Sequence, residues 1–273
     1  MTIGIAAKCF NDRCLVMASD RRISFGDVVP AAENAALKEL NIGVRWRALF
    51  TASDTSHAIP VAIQVQDALR PSTGTPRREH PEDVERAFRE AYQQVRRQQA
   101  TDSILSPYDL SLEEFRKLGG QWGDEFQLLS KKLREFDLGV EFLVCGFAEN
   151  GFSQMFLVKN PGRIKPLFEM DYWAIGSGDY MALATLVQRP LSMLPIGECV
   201  YRVCEAKFAA ETAAGVGKET TLTVMNHDGH SVNITHMVSE FRKRWEVSRN
   251  ERVPEEVYAP VHSILKSEGI LNR

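Results

Sequence analysis

The chain has 273 residues, 44% apolar and 25% charged, ordinary material for a globular fold with a full core. Its 33 basic and 36 acidic residues leave a formal net charge of −3, so composition gives no general attraction to nucleic acid or anionic lipid. The five cysteines, Cys9, Cys14, Cys145, Cys199 and Cys204, are scattered and mostly set in apolar runs, which reads as reduced core residues rather than a disulfide framework.

Near the amino end, the apolar stretches Ile3 to Ala7 and Cys14 to Ala18 flank Phe10-Asn11-Asp12-Arg13, a pattern that predicts a β-hairpin with Asn-Asp at its turn. Asp20 ends the second strand and is followed by Arg21, Arg22 and Gly26. Lys38 sits in the otherwise apolar segment Ala35 to Leu40, where a strand would bury it in part. Burial disfavours a lysine's charge and a neighbouring carboxylate restores it, so Asp20 is the natural partner. Taken alone, such a pair reads first as a structural ion pair or a lysine lying along a surface strand.

A first helix is predicted from His57 to Leu69, stopped by Arg70-Pro71. After a polar loop, Ser72 to Arg78, an amphipathic helix near 81–100 places Val84, Phe88, Ala91, Tyr92 and Val95 on one face, with Pro81 in its first turn. Asp102 to Leu110 reads as a connection. Ser111-Leu-Glu-Glu114 has the form of a capping box opening another helix. Gly119-Gly120 interrupts it, and Trp122 to Phe136 is again helical, with Phe126, Leu129 and Leu133 as its stripe. The charges on these helices read as solvated faces. The sharper alternative is an arm that covers a site or touches a neighbouring subunit through Phe115 and Trp122.

Beyond it come the apolar runs Phe142–Phe147, Met155–Val158 and Ala174–Ile175, the last followed by Gly176-Ser177-Gly178, Ala182 and Leu186. Ser177 on its own is a loop or helix-cap residue. The run Ala206 to Gly217, a strand Thr221–Met225 and a turn at Asp228-Gly229 follow. The tail, about 239–273, predicts a charged helix with Phe241 and Trp245, then Pro254 and a final helix to about Ser267. His227, His230 and His236 fit a hairpin turn, and no cysteine or paired carboxylate beside them completes a tetrahedral set, so no metal is expected. There is no G-x-S-x-G, P-loop or G-x-G-x-x-G, and no cofactor is expected. The start of the chain lacks an uninterrupted apolar leader and no run reaches the ~18 apolar residues of a membrane span, so a cytoplasmic location is expected.

Thr2 is the residue with the most chemical content. Removal of Met1 would free an α-amine whose reference pKa is about 7.7–8.0, so a useful fraction is neutral near pH 7. That amine could accept the hydroxyl proton of its own residue, which is how an N-terminal threonine becomes a nucleophile.

In order, these features resemble a proteasome β-type subunit of the N-terminal-nucleophile hydrolases: Thr2, a hairpin, Asp20 and Arg22 with a following glycine, Lys38 before a strand, the central strands, Gly-Ser-Gly, and the late helix, strand and hairpin. Roughly residues 2–60 and 140–240 are covered. The resemblance implies an α+β fold, a four-layer αββα sandwich of two mainly antiparallel sheets in a single domain, with a helical insertion at about 72–137. It implies threonine-dependent amide or peptide hydrolysis, with Thr2 as nucleophile, Asp20 and Lys38 tuning it, and Ser177, between Gly176 and Gly178, bonding the terminal amine. The oxyanion donor would be a backbone N–H in Phe50 to Asp54, from Ser53 or Ala52. The family's supporting Asp and Ser-Gly pair are absent from Glu211 to Gly217, which leaves Glu211 as the nearest carboxylate. By resemblance the partners are peptide or unfolded protein and further copies of the chain in a ring, with room for an outside unfoldase. The rivals are a non-catalytic ring or scaffold subunit and an amidase for a small non-peptide substrate.

Overall fold

A computed structural model describes residues 2–25, 29–32, 37–70, 79–188 and 190–250. Gly26, the loop Ser72 to Arg78 and the helix expected after Pro254 lie outside the described residues.

The hairpin forms as the sequence predicts but with longer strands, β1 (Ile3–Cys9) and β2 (Cys14–Asp20), closed by the register pair Cys9–Cys14. Its turn takes Phe10, Asn11 and Asp12 through the left-handed region, with φ of 54°, 54° and 62°. Asn and Asp tolerate that geometry because their short polar side chains bond locally; a phenylalanine does not favour it. The two-stranded ribbon β3 (Ile23–Phe25) and β4 (Val29–Ala32) follows. Then come β5 (Glu39–Asn41), β6 (Trp46–Ala52), α1 (Thr55–Leu69), α2 (Pro81–Ile104), α3 (Leu112–Leu118) and α4 (Gly123–Glu135). The carboxyl half holds β7 (Val140–Phe147), β8 (Ser153–Lys159), β9 (Arg163–Pro166), β10 (Tyr172–Gly176), α5 (Asp179–Leu186), α6 (Ile196–Ala210), β11 (Thr220–Asn226), β12 (Ser231–Asn233) and α7 (Val238–Asn250).

Two five-stranded sheets result, in the orders β10-β1-β2-β11-β12 and β5-β6-β7-β8-β9, and every pairing in them is antiparallel. Three apolar clusters set the layers. Ile3, Ile5 and Ala7 of β1 and Val16 and Ala18 of β2 face α5 and α6. The intervening residues Ala6, Leu15 and Met17 meet Leu143, Cys145 and Leu157 of the second sheet. That sheet's other face, with Phe142, Val144 and Phe156, is covered by α1 and α2. Strands buried on both faces need apolar residues at every position, which is why these runs read as continuous rather than alternating. The result is an α+β fold whose layering is compatible with a sandwich.

Several expectations change. Lys38 is not inside a strand; it directly precedes the short β5. The late helix ends at Ala210, so Glu211 to Gly217 is a turn rather than its last part. The second helix is part of the layer that covers the second sheet. Val84, Phe88, Tyr92 and Val95 of α2 pack with α1 on the second sheet, with the Phe88 ring 5.4 Å from Phe142 and 6.0 Å from Phe156. Only residues after Ile104 form a separate arm, with its own small core of Leu105, Phe115 and Leu129. Phe115 stacks on Phe126 at 4.7 Å and Trp122 meets Tyr108 edge-on at 6.1 Å, so both rings make contacts within the arm. The capping box of α3 is present, Ser111 Oγ accepting from Glu114 N–H while the Glu114 carboxylate accepts from Ser111 N–H. The tail helix α7 packs on its own chain, with Trp245 5.4 Å from Phe208 and Phe241 6.0 Å from Tyr201.

Candidate active site

The site forms where the ends of both sheets meet. Thr2 directly precedes β1, and the β1–β2 register, which pairs Gly4 with Ser19, sets Asp20 beside it. Asp20 is fully buried and uses both carboxylate oxygens. Its Oδ1 accepts from Thr2 Oγ1, from Ile3 N–H at 3.0 Å and from Lys38 Nζ at 2.9 Å; its Oδ2 accepts from Gly217 N–H at 3.1 Å. Lys38, just before β5 of the other sheet, is 4% exposed. Its carbonyl accepts from Phe50 N–H at 3.1 Å, which ties it to the edge of β6, and its Nζ also donates to Thr2 Oγ1. The threonine hydroxyl therefore donates to a carboxylate and accepts from an ammonium, and its other lone pair is left for chemistry.

Ser177 closes the opposite side. Its Oγ accepts from Thr2 N at 3.2 Å and donates to Thr2 O at 3.4 Å. It caps no helix; Gly178 holds the cap position of α5 and makes no side-chain bond there. Gly176 is required by geometry: its φ is +103°, and a Cβ would lie 2.3 Å from Thr2 O. Gly178 is a close approach, where a Cβ would meet Ala210 Cβ at 2.9 Å and Val216 Cγ2 at 3.0 Å. Arg22 lies half-buried just past β2, two residues from Asp20.

The backbone donors near β6 sort by strand alternation. Ser53 N–H donates to Gly139 O at 2.9 Å, continuing the β6–β7 ladder, so the donor expected from Ser53 is already engaged. Ala52 opposes Val140 between two bonded positions, and its N–H points away from β7, toward the side on which Phe50 N–H meets Lys38. Thr51 reaches the same corner, its Cγ2 being 3.1 Å from where a Gly176 side chain would start.

Glu211 does not bond Ser177 or Thr2. It accepts two bonds from Arg242, at 2.8 and 2.6 Å, and one at 2.5 Å from Lys207, whose side chain is wholly buried. Lys207 Nζ also donates to Gly217 O at 2.8 Å and Lys218 O at 2.9 Å. Gly217 is the residue whose N–H holds Asp20 Oδ2, so this second buried cation braces the turn that fixes the carboxylate. Burial pushes the Lys207 ammonium below the ordinary lysine value, with Glu211 and Asp20 opposing that drop. Sequence reasoning missed Lys207 and Arg242. The available signal was the i,i+4 pair Lys207–Glu211 among the apolar neighbours Val203, Cys204 and Phe208.

No protein-family model matches this chain, and no curated protein does. Other chemistry is scarce. All five cysteines are buried and free, and burial pushes the Cys145 and Cys204 thiols up, as core residues rather than nucleophiles. Among the described residues no group of three His, Cys, Asp or Glu side chains converges as a metal site, and no helix is long and apolar enough to cross a membrane.

Proposed function

We propose that the chain is a threonine-dependent amide hydrolase of the N-terminal-nucleophile class with a proteasome-type αββα fold, active once Met1 is removed. The seat of Thr2 Oγ1 carries this reading: it lies between a buried carboxylate and a buried ammonium, while Thr2 N reaches Ser177. In the first step the freed amine takes the hydroxyl proton and Oγ1 bonds to the substrate carbonyl carbon. The Lys38 charge favours the developing alkoxide, and Ala52 N–H is the backbone donor on the side where the oxyanion forms. The C–N bond then breaks, the ammonium returns its proton to the leaving amine, and water hydrolyses the ester left on Thr2. Asp20 orients the pair throughout, steadied by Gly217 and, through it, by Lys207. Peptides as substrate, a ring of identical subunits and a cytoplasmic setting belong to the same proposal.

One observation favours a second reading, a subunit that keeps the fold without turnover: the nearest acid, Glu211, faces Lys207 and Arg242 instead of supporting Ser177. A single experiment separates the two. Intact mass of the purified protein is measured before and after incubation with a peptide epoxyketone or a β-lactone. Loss of one methionine mass and a single adduct, absent in Thr2→Ala, is the expected result. Retention of Met1, or an equal adduct on Thr2→Ala, defeats the catalytic reading.

A further inference from the structure

The arm after Ile104 has no part in the proposed chemistry, yet it forms a cleft with an unusual lining. Between α2, α3 and α4 lies a cavity of about 350 Å³ walled by Arg96, Arg97, Arg116 and Arg134. Among the described residues, no acidic side chain lines it. Elsewhere on these helices cations sit beside acids, as in Arg86–Asp83, Lys117–Glu113 and Lys131–Glu135. A cleft lined by four arginines and no acid presents net positive charge to whatever enters it, and an anion there is favoured.

The wall is partly rigid. Arg96 Nε donates to Phe136 O at 2.9 Å and to Asn160 Oδ1 at 3.2 Å, and its Nη2 donates to Leu133 O at 3.2 Å and Arg134 O at 2.8 Å. Those bonds fix the end of α4 against α2 and hold the Arg96 charge in place. The rest of the lining is not polar throughout: Ala100, Leu112, Leu133 and Pro161 supply an apolar floor. A planar fork that bonds two oxygens at once suits phosphate, and an apolar floor beside it suits an organic group attached to that phosphate. The volume falls at the small end of the range for ligand sites, about 300–1,000 Å³.

We propose that this cleft binds a small phosphate monoester, its phosphate among Arg97, Arg116 and Arg134 and its organic part over Leu112, Leu133 and Pro161. The site does not depend on Thr2 chemistry, so it stands or falls apart from the hydrolase reading. The test is isothermal titration of the full chain with phenyl phosphate, inorganic phosphate, phenol and a phosphoserine peptide. Phenyl phosphate is expected to bind once per chain and to bind about tenfold or more tightly than inorganic phosphate, with no binding of phenol. Its affinity should fall as salt is raised, and should drop at least about tenfold in Arg97→Ala/Arg116→Ala, because two charge-assisted contacts are lost. These side chains are exposed, so the variant keeps its fold, checked by circular dichroism; Arg244→Ala on α7 serves as a charge-matched control with unchanged affinity. Absence of saturable binding, equal affinity in the double variant, or tighter binding of the phosphopeptide than of phenyl phosphate overturns the proposal.

Discussion

Removing the acid from the buried Lys207–Glu211–Arg242 group is expected to cost more than removing its lysine. In Glu211→Ala the wholly buried Lys207 loses its bonded carboxylate and keeps hydrogen bonds only to the carbonyls of Gly217 and Lys218, with Asp20 as the one acid still acting on it and Arg242 nearby as a like charge. Stranding a buried charge in this way costs about 3–5 kcal/mol. In Lys207→Met the acid keeps both bonds from Arg242, and Lys218 O keeps Arg242 Nη2 at 3.1 Å. Only Gly217 O loses its donor, a cost of about 1–3 kcal/mol, offset in part because no ammonium is desolvated any longer. The two variants should therefore differ by roughly 2 kcal/mol, or about 4–8 °C in melting temperature for a chain of this size. Urea unfolding of both variants and of the Lys207→Met/Glu211→Ala pair measures it. The pair should be more stable than Glu211→Ala alone, since the stranded charge has gone. Equal costs, the reverse order, or a double variant that costs the sum of the singles would refute this account of the group.

Two further outcomes bear on the site and its surroundings. Gly176→Ala should lose at least about 1–3 kcal/mol of stability and all labelling at Thr2, because its φ of +103° and the 2.3 Å approach to Thr2 O leave no room for a methyl group. Gly197→Ala, with nothing within 4 Å of its Cβ position, should be neutral or stabilising by about 0.5–1 kcal/mol; equal behaviour of the two in thermal melts would contradict the steric reasoning. Burial holds the Glu39 carboxyl above its ordinary value of 4.5, with Thr223 and Arg47 opposing the rise. A raised value means that the group's contribution to stability is complete below 4.5 and is lost as pH climbs through the folded-state value. Stability measured from neutral pH down toward 4.5 should thus rise less, or fall more, in Glu39→Gln than in the parent; parallel curves would show that Glu39 does not titrate differently on folding.

Much of the frame was legible because it follows local rules. The hairpin, the Pro81 start of α2, the Ser111–Glu114 capping box and the Asp228-Gly229 turn each depend on residues a few positions apart. Lys38 and Asp20 could be paired because a buried lysine demands a carboxylate, although the strand expected around Lys38 begins one residue later. What sequence could not supply is which surface a face covers. The stripe of α2 announces an apolar side without saying that the second sheet lies beneath it. Lys207 and Glu211 at i,i+4 mark a local pair, but its link to the Gly217 turn and to Arg242 of α7 depends on contacts distant in sequence. The choice between Ser53 and Ala52 turns on which strand edge each N–H faces, a matter of register that residue type does not encode.

The groups around Thr2 are far apart along the chain: Ser177 lies 175 positions away, and the Gly217 that secures Asp20 lies 197 positions from it. During synthesis the threonine is the first of them to leave the ribosome and the bracing turn almost the last. A half-made chain therefore lacks the groups that seat Thr2 and Asp20, and the arrangement is complete only once the carboxyl half has folded onto the amino half.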